Sequence, residues 1–257
     1  MKKEEGWNNL FWQILKNREN AGHNGWSGNV FEGGRVCLSG LHTPSKFLLL
    51  SRGSKDAVAA LAKYSHLKGW KLDGVCGPQS EVDHYLACRK EMGLKILNLS
   101  QRMFKLFQTS LQEDDHNLEE YKLVPVSKID WPKARVWAQQ FALEADPPMD
   151  VAAITQLAKQ MYLAQNLFVL TNPENYPCAM AGFGRMTERY KVINLVYVPR
   201  ELRGLGIGQK LITSMTLLAQ ESGYEQCLLF SEWMDSRNLY DNMGCTTLGK
   251  FVEYDLV

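Results

Sequence analysis

Apolar positions along this chain recur in short blocks whose spacing switches between a period of two and a period near 3.6, the pattern of strands alternating with helices. Phe47 to Leu50 is a continuous apolar run and predicts a strand; DAVAALAKYSHL (56–67) predicts a helix, and LDGVCG (72–77) a second strand. SEVDHYLACRKEM (80–92) predicts a helix closed by Gly93, and LKILNL (94–99) a further strand.

A second series begins near residue 130. In DWPKARVWAQQFALEA, Asp130 stands where an N-cap belongs, Pro132 falls in the first turn, and Val136, Trp137 and Phe141 share a face. Ile154, Leu157, Ala158 and Met161 repeat at i, i+3, i+4 and i+7, which predicts a second amphipathic helix. Strands are expected at Leu167–Leu170, Cys178–Phe183 and Val192–Val198; turn residues Asn172, Pro173 and Pro177 and then ERYK separate them as in an antiparallel meander. Leu211, Met215 and Leu218 mark a helix ending near Gly223, Cys227–Phe230 a strand, SRNLYDNM a short helix stopped by Gly244, and TTLGKFVEYDLV a strand-rich tail.

Both series run strand, helix, strand, helix, glycine stop, strand, and both second helices end in Met-Gly (Met92-Gly93, Met243-Gly244). This reads as a diverged tandem repeat of α+β order, although unrelated α/β units would show the same order at this level of detail. The acidic stretch TSLQEDDHNLEEYK (109–122) between them reads as a linker, giving domains at 1–115 and 116–257.

The length of 257 residues suits two domains of roughly 100 to 150 residues. Lys plus Arg (29) nearly cancels Asp plus Glu (28), so nucleic acid is not the expected partner. The N-terminal segment is charged and interrupted, and no run approaches the ~18 apolar residues of a membrane span, so a soluble protein is expected. The six cysteines lie far apart without C-x-x-C, a pattern of buried thiols in a reducing, cytoplasmic setting. The five histidines show no i, i+4 pairing, and no metal is expected.

The chemistry concentrates in VYVPRELRGLGIGQKL (196–211), where a basic segment and three alternate glycines lie between a strand and a helix. Glycine permits positive φ and close approach, so such a turn can aim successive N–H groups at an anion on the positive end of the helix. The P-loop spacing fails, because Gly204 and Gly208 are too close and Gln209 precedes Lys210; G-x-G-x-x-G fails because Leu211 stands where its third glycine belongs.

Arg203-Gly204-Leu205-Gly206-Ile207-Gly208 resembles the R-x-x-G-x-G signature of the GNAT superfamily of acyl-CoA-dependent N-acyltransferases. The preceding VYVP and the later SRNLYDNMG (236–244) resemble that superfamily's strand and its serine–tyrosine helix. DGVCGPQSEVDHYL (73–86) resembles the N-terminal half of a tandem subgroup, in which a degenerate GNAT-like domain precedes the active one; its junction, Ser51-Arg52-Gly53-Ser54, lacks the signature. The resemblance implies two GNAT-like domains, each a mixed, mostly antiparallel central sheet flanked by helices.

It further implies acetyl-CoA as co-substrate. The strand segment Val196-Tyr197-Val198 would splay after a bulge, with main-chain groups of Val196 and Val198 meeting the pantetheine arm. The amides of Arg203, Gly204, Leu205, Gly206, Ile207, Gly208 and Gln209 would hold the pyrophosphate, with Arg200, Arg203 and Lys210 adding charge. Ser236 would bond the pantetheine or cap its helix.

The implied reaction is attack of a neutral amine on the thioester, with a backbone N–H near Val198 holding the oxyanion and Tyr240 protonating the sulfur. With a phenol pKa of about 10 and a thiol near 8.5, that transfer is uphill by roughly 2 kcal/mol, within reach of modest tuning. At its helical spacing from Leu239 and Met243, Tyr240 would also suit a core. Asn194 and Tyr197 are the polar residues of the strand, Glu188 stands just before it and Glu232 ends the next, and none is singled out as the base. Trp233 stands where the family commonly has an asparagine, and Cys245 where it has an aromatic residue. An N-acetyltransferase acting on a small amine, amino acid or peptide is the leading reading, and a non-catalytic acyl-CoA sensor the alternative. Composition does not choose between a monomer and a homodimer.

Overall fold

The computed structural model describes residues 4–21, 26–42, 47–94, 99–109, 120–232, 234 and 238–256. In chain order the elements are α1 (Asn9–Ala21), β1 (Ser27–Glu32), β2 (Arg35–His42), β3 (Phe47–Leu50), α2 (Lys55–Leu67), β4 (Gly74–Pro78), α3 (Gln79–Glu91), β5 (Leu99–Gln108), β6 (Lys122–Pro125), α4 (Trp131–Glu144), α5 (Val151–Leu163), β7 (Leu167–Thr171), β8 (Pro177–Met186), β9 (Tyr190–Tyr197), α6 (Ile207–Glu221), β10 (Gln226–Ser231), α7 (Leu239–Asn242) and β11 (Thr246–Leu256). The α+β class expected from the sequence is what the chain adopts. Most of the acidic stretch read as a linker, and most of the strand expected at 94–99, lie outside the described residues.

Two compact units form, one of Met1–Phe104 with Gly249–Val257 and one of Lys105–Leu248. They are not the consecutive blocks 1–115 and 116–257, because the end of the chain folds with the first unit. Residues 251–255 of β11 pair antiparallel with β4, and Val252 and Tyr254 are buried beside Leu48, Leu50 and Val75. Tyr254 also donates its hydroxyl to Asp83 Oδ1 at 3.0 Å.

Within the first unit the strand order is β1-β2-β3-β4-β11, antiparallel except for the parallel pair β3 and β4, which α2 connects. Ser54 starts α2 by accepting the amide of Ala57. The burial of all of β4 and most of β3 matches their unbroken apolar sequence.

In the second unit the order is β5-β10-β9-β8-β7-β6, again antiparallel except for one parallel pair, β9 and β10, connected by α6. A core with α6 includes Phe183, Ile193, Leu211, Met215 and Leu229; a second core, with α4 and α5, includes Trp137, Met161, Val169, Leu195 and Tyr197. Asp150 caps α5 through the amide of Ala153 at 2.9 Å. Asp130 makes no such bond to α4 and instead accepts the Ser127 hydroxyl at 2.6 Å. The buried face of α4 is Ala134, Trp137, Ala138 and Ala142, so Val136, expected on it, is 44% exposed.

If β11 completes the first unit's core, a chain ending at Leu248 should lose amide protection in β3 and β4 while β7 to β9 keep theirs. Hydrogen exchange of the truncated and full chains measures this.

Candidate functional site

The site starts from an irregularity in β9. Gly182 of β8 faces Asn194 and Met180 faces Tyr197, so two steps along β8 match three along β9. The extra residue is accommodated at Leu195, whose φ is +55° although it is not glycine. Leu195 and Tyr197 then pack into the α4/α5 core, while Val196 and Val198 pack toward α6. Parallel pairing of β9 with β10 ends at Ile193 and Leu229. Beyond it, β9 stays on β8 as far as Tyr197, whereas β10 stays on β5 as far as Ser231, opposite Lys105. The neighbouring strands thus part, leaving a backbone edge along residues 194–198.

That edge runs into the glycine segment. Pro199 ends the extended backbone, and a 3-10 turn over Arg200–Leu202 follows. Gly204 (φ +78°) and Gly206 (φ +74°) adopt the left-handed conformation that side chains disfavour. Gly206 precedes the first turn of α6 and has no side chain to cap it. The first helical bond is Lys210 N–H to Gly206 O at 3.1 Å. The amides of Gly204, Leu205, Gly206, Ile207, Gly208 and Gln209 therefore donate to nothing among the described residues, whereas that of Arg203, expected with them, bonds Arg200 O at 3.3 Å and closes the 3-10 turn. Gly208 has a different cause: a Cβ there would lie 3.0 Å from Leu239 Cδ2 and 3.8 Å from Val198 Cγ2. Strand end, helix start and α7 meet at that point.

Tyr240 follows Leu239 on α7. Asn238, almost fully buried, caps this short helix by accepting the amides of Tyr240 (2.9 Å) and Asp241 (3.0 Å). The cap is therefore Asn238; Ser236 and Trp233 lie outside the described residues. The Tyr240 ring packs 5.3 Å from that of Phe107, and its hydroxyl has no hydrogen-bond partner among the described residues. Burial, with the Cys245 sulfur adding, pushes its phenol well above the ordinary value. The surroundings therefore tune Tyr240 in the direction opposite to the one an easy proton transfer needs. Cys245 is itself buried in the α6 core.

The expected cations are not free to face the loop. Arg203 donates from Nε to Val198 O at 2.9 Å and from Nη2 to Glu144 Oε2 at 2.7 Å. Arg200 Nε lies 3.2 Å from Glu144 Oε1. The Tyr197 hydroxyl lies 3.0 Å from Gln140 Oε1 and 3.1 Å from Glu144 Oε1, sharing its one proton between them, so its side chain faces α4. Lys210 holds its ammonium 4.9 Å from the Tyr121 ring centroid. Burial acts to raise the Glu144 carboxyl, but hydrogen bonds from Arg203 and Tyr197 and the charges of both arginines outweigh it and hold the group below its ordinary value. Sequence reasoning missed Glu144: it lies 59 residues from Arg203, at the end of an amphipathic helix, and no spacing rule links the two. Of the other polar residues considered, Asn194 is half-buried, Glu188 exposed and Glu232 half-buried.

At the β3–α2 junction of the first unit, side chains take two of the backbone donors. Ser54 caps α2, and the Gly53 amide donates to Glu81 Oε1 at 3.2 Å. Glu81 is almost fully buried and also accepts the Ser80 hydroxyl. A Cβ on Gly53 would lie 2.6 Å from Cys37 O.

Two outcomes check this geometry. Gly206→Ala should cost about 1–2 kcal/mol in urea denaturation, the penalty of a left-handed alanine, and Gly208→Ala less, because the Leu239 tip can shift. The Glu144 carboxyl sits below its unfolded value of about 4.3, so its contribution to stability is complete above about pH 5 and fades as pH falls through the folded-state value. The stability margin of wild type over Glu144→Gln should shrink accordingly in urea melts carried out below about pH 4.

No family model matches the sequence, and no curated protein matches it significantly. Solved structures do. A GCN5-related N-acetyltransferase from Sphaerobacter thermophilus aligns over 95% of this chain and 84% of its own, with a TM-score of 0.60 at 12% identity. A GNAT-family acetyltransferase from Colwellia psychrerythraea aligns over 90% and 85%, with 0.56 at 14% identity. A GCN5-related N-acetyltransferase from Kribbella flavida aligns over 96% and 94%, with 0.52 at 12% identity. At these identities the likeness is one of fold: the chain has the fold of GNAT-type acetyltransferases.

Proposed function

We propose that the second unit binds acetyl-CoA and transfers the acetyl group to a primary amine of a small molecule, amino acid or peptide, and that the first unit is a degenerate GNAT-like domain without a cofactor site. The observation that carries this reading is a continuity: the parted edge of β9 leads directly into six unpartnered amides at the start of α6, and Leu239, the neighbour of Tyr240, lies against Gly208.

The residues suit such a substrate in three places. The opening between β9 and β10 offers main-chain groups of Val196 and Val198, on either side of Tyr197, to an extended pantetheine arm, as an added strand would use them. The amides of Gly204 to Gln209, on the positive end of α6, suit a diphosphate. Acetyl-CoA supplies an activated thioester. A backbone N–H of the parted edge takes the charge that develops on the carbonyl oxygen. Tyr240, kept protonated by burial, donates its O–H toward the sulfur.

The same burial favours a second reading, since a phenol whose ionisation is made harder is a poor acid. In that reading the second unit binds acyl-CoA without turnover.

Calorimetry with coenzyme A and acetyl-CoA, joined to free-thiol release with a panel of amines, decides between them. The expected result is saturable binding, thiol release above hydrolysis with at least one amine, and a Tyr240→Phe variant that loses tenfold or more of turnover while keeping its affinity. Binding without release supports the sensor; absence of binding overturns both readings.

A further inference from the structure

Arg203 and Arg200 immediately precede the unpartnered amides, yet both guanidinium groups are turned onto Glu144. Glu144 is 20% exposed, whereas Arg203 is 46% and Arg200 75% exposed, so the carboxylate is the fixed partner and the arginines the movable ones. We propose that Glu144 is a positioning residue that competes with the cofactor diphosphate for Arg203 and Arg200, so that diphosphate binding releases Glu144 and is coupled to proton uptake by it. This inference rests on the acetyl-CoA reading of the same loop.

The competition follows from charge. A carboxylate offers one negative charge, a diphosphate about two and more acceptor oxygens, and guanidinium pairs with phosphate in the same forked geometry it uses for carboxylate. A diphosphate on the amides of Gly204 to Gln209 lies next in sequence to Arg203. It gains that side chain at the cost of one ion pair in a half-exposed setting, where pairs are weak.

The groups around Glu144 fix the sign of the proton linkage. Arg200 and Arg203 reach it from the segment after β9 and Tyr197 from β9 itself; Glu201 and, further back on α4, Lys133 are the other charged groups lining the open cleft of about 650 Å³ that Glu144 borders with Gln140, Tyr197 and Arg200. With both arginines in place, their charges and the hydrogen bonds from Arg203 and Tyr197 outweigh burial. With the arginines drawn to phosphate, the Tyr197 hydrogen bond alone still lowers the carboxyl, and burial, which raises it, carries more weight than before. The carboxyl then binds a proton over a pH range in which it was ionised before. The proton comes from solvent, and no covalent bond changes.

Calorimetric titration of coenzyme A into the full chain at pH 5, in two buffers of different ionisation enthalpy, counts protons taken up on binding. Dephospho-coenzyme A as the second titrant removes the terminal phosphomonoester from that count. Wild type should take up a fraction of a proton with either titrant, and Glu144→Gln should lose that fraction and bind about three- to tenfold more tightly. Glu144→Asp, a shorter carboxylate that keeps the charge, serves if the glutamine variant does not fold, and should bind between the two. Equal proton uptake in wild type and variant, or weaker binding by Glu144→Gln, overturns the proposal while leaving the acetyl-CoA reading intact. Absence of any binding by wild type overturns that reading as well.

Discussion

The arrangement depends on one extra residue in β9. A regular β9 would stay paired with β10 beyond Ile193, as parallel neighbours joined by a helix ordinarily do. Leu195 at φ +55° breaks that register. The left-handed conformation costs a non-glycine residue roughly 1–2 kcal/mol, about what burying a leucine side chain returns. Leu195 is 3% exposed in the core with Trp137 and Met180, so the packing that fills this face also holds the bulge open. Had the residue been polar or small, relaxation to regular pairing would have closed the edge.

The three glycines answer to the same constraint in two ways. At 204 and 206 the surroundings are open and the requirement is a positive φ; at 208 the backbone is helical and the requirement is space for Leu239. The first two turn the chain from the strand end into α6 with its amides outward. The third lets α7 come down on the helix start through Leu239, the residue before Tyr240. Substitution at either kind of position disturbs a different link: conformation in one case, packing in the other.

Elements with a dense local signal were legible in the sequence. The strand–helix–strand of residues 47–78, the helices at 131–144 and 151–163, and the meander from 167 to 197 all have unbroken apolar runs or clear 3.6 periodicity. The β1–β2 hairpin was not seen because β1 is mostly exposed on both faces, so its sequence carries no alternation to read. The strands β5 and β6 went unseen for related reasons: β5 interleaves Arg102 and Lys105 with its apolar residues, and β6 is four residues long. The return of β11 to the first unit, and the pairing of Arg203 with Glu144, are long-range outcomes that no local pattern encodes. The glycine motif did announce the loop, but not that its arginines would be held elsewhere.

The two strand-to-helix junctions differ in what occupies their backbone donors. Each has an arginine just before a glycine and a carboxylate close by: Arg52 lies 3.9 Å from Glu81 and Arg203 2.7 Å from Glu144. In the first unit the carboxylate accepts the Gly53 amide and Ser54 accepts that of Ala57, so two of the backbone donors at the helix start are taken by side chains. In the second unit the carboxylate engages side chains alone and the cap residue is glycine, which leaves the backbone donors unoccupied. A side-chain ion pair at a half-exposed position exchanges partners at small cost, whereas extracting a buried carboxylate from an amide does not. Under the proposed function, the second junction is held in order by an internal anion and yields to an external one.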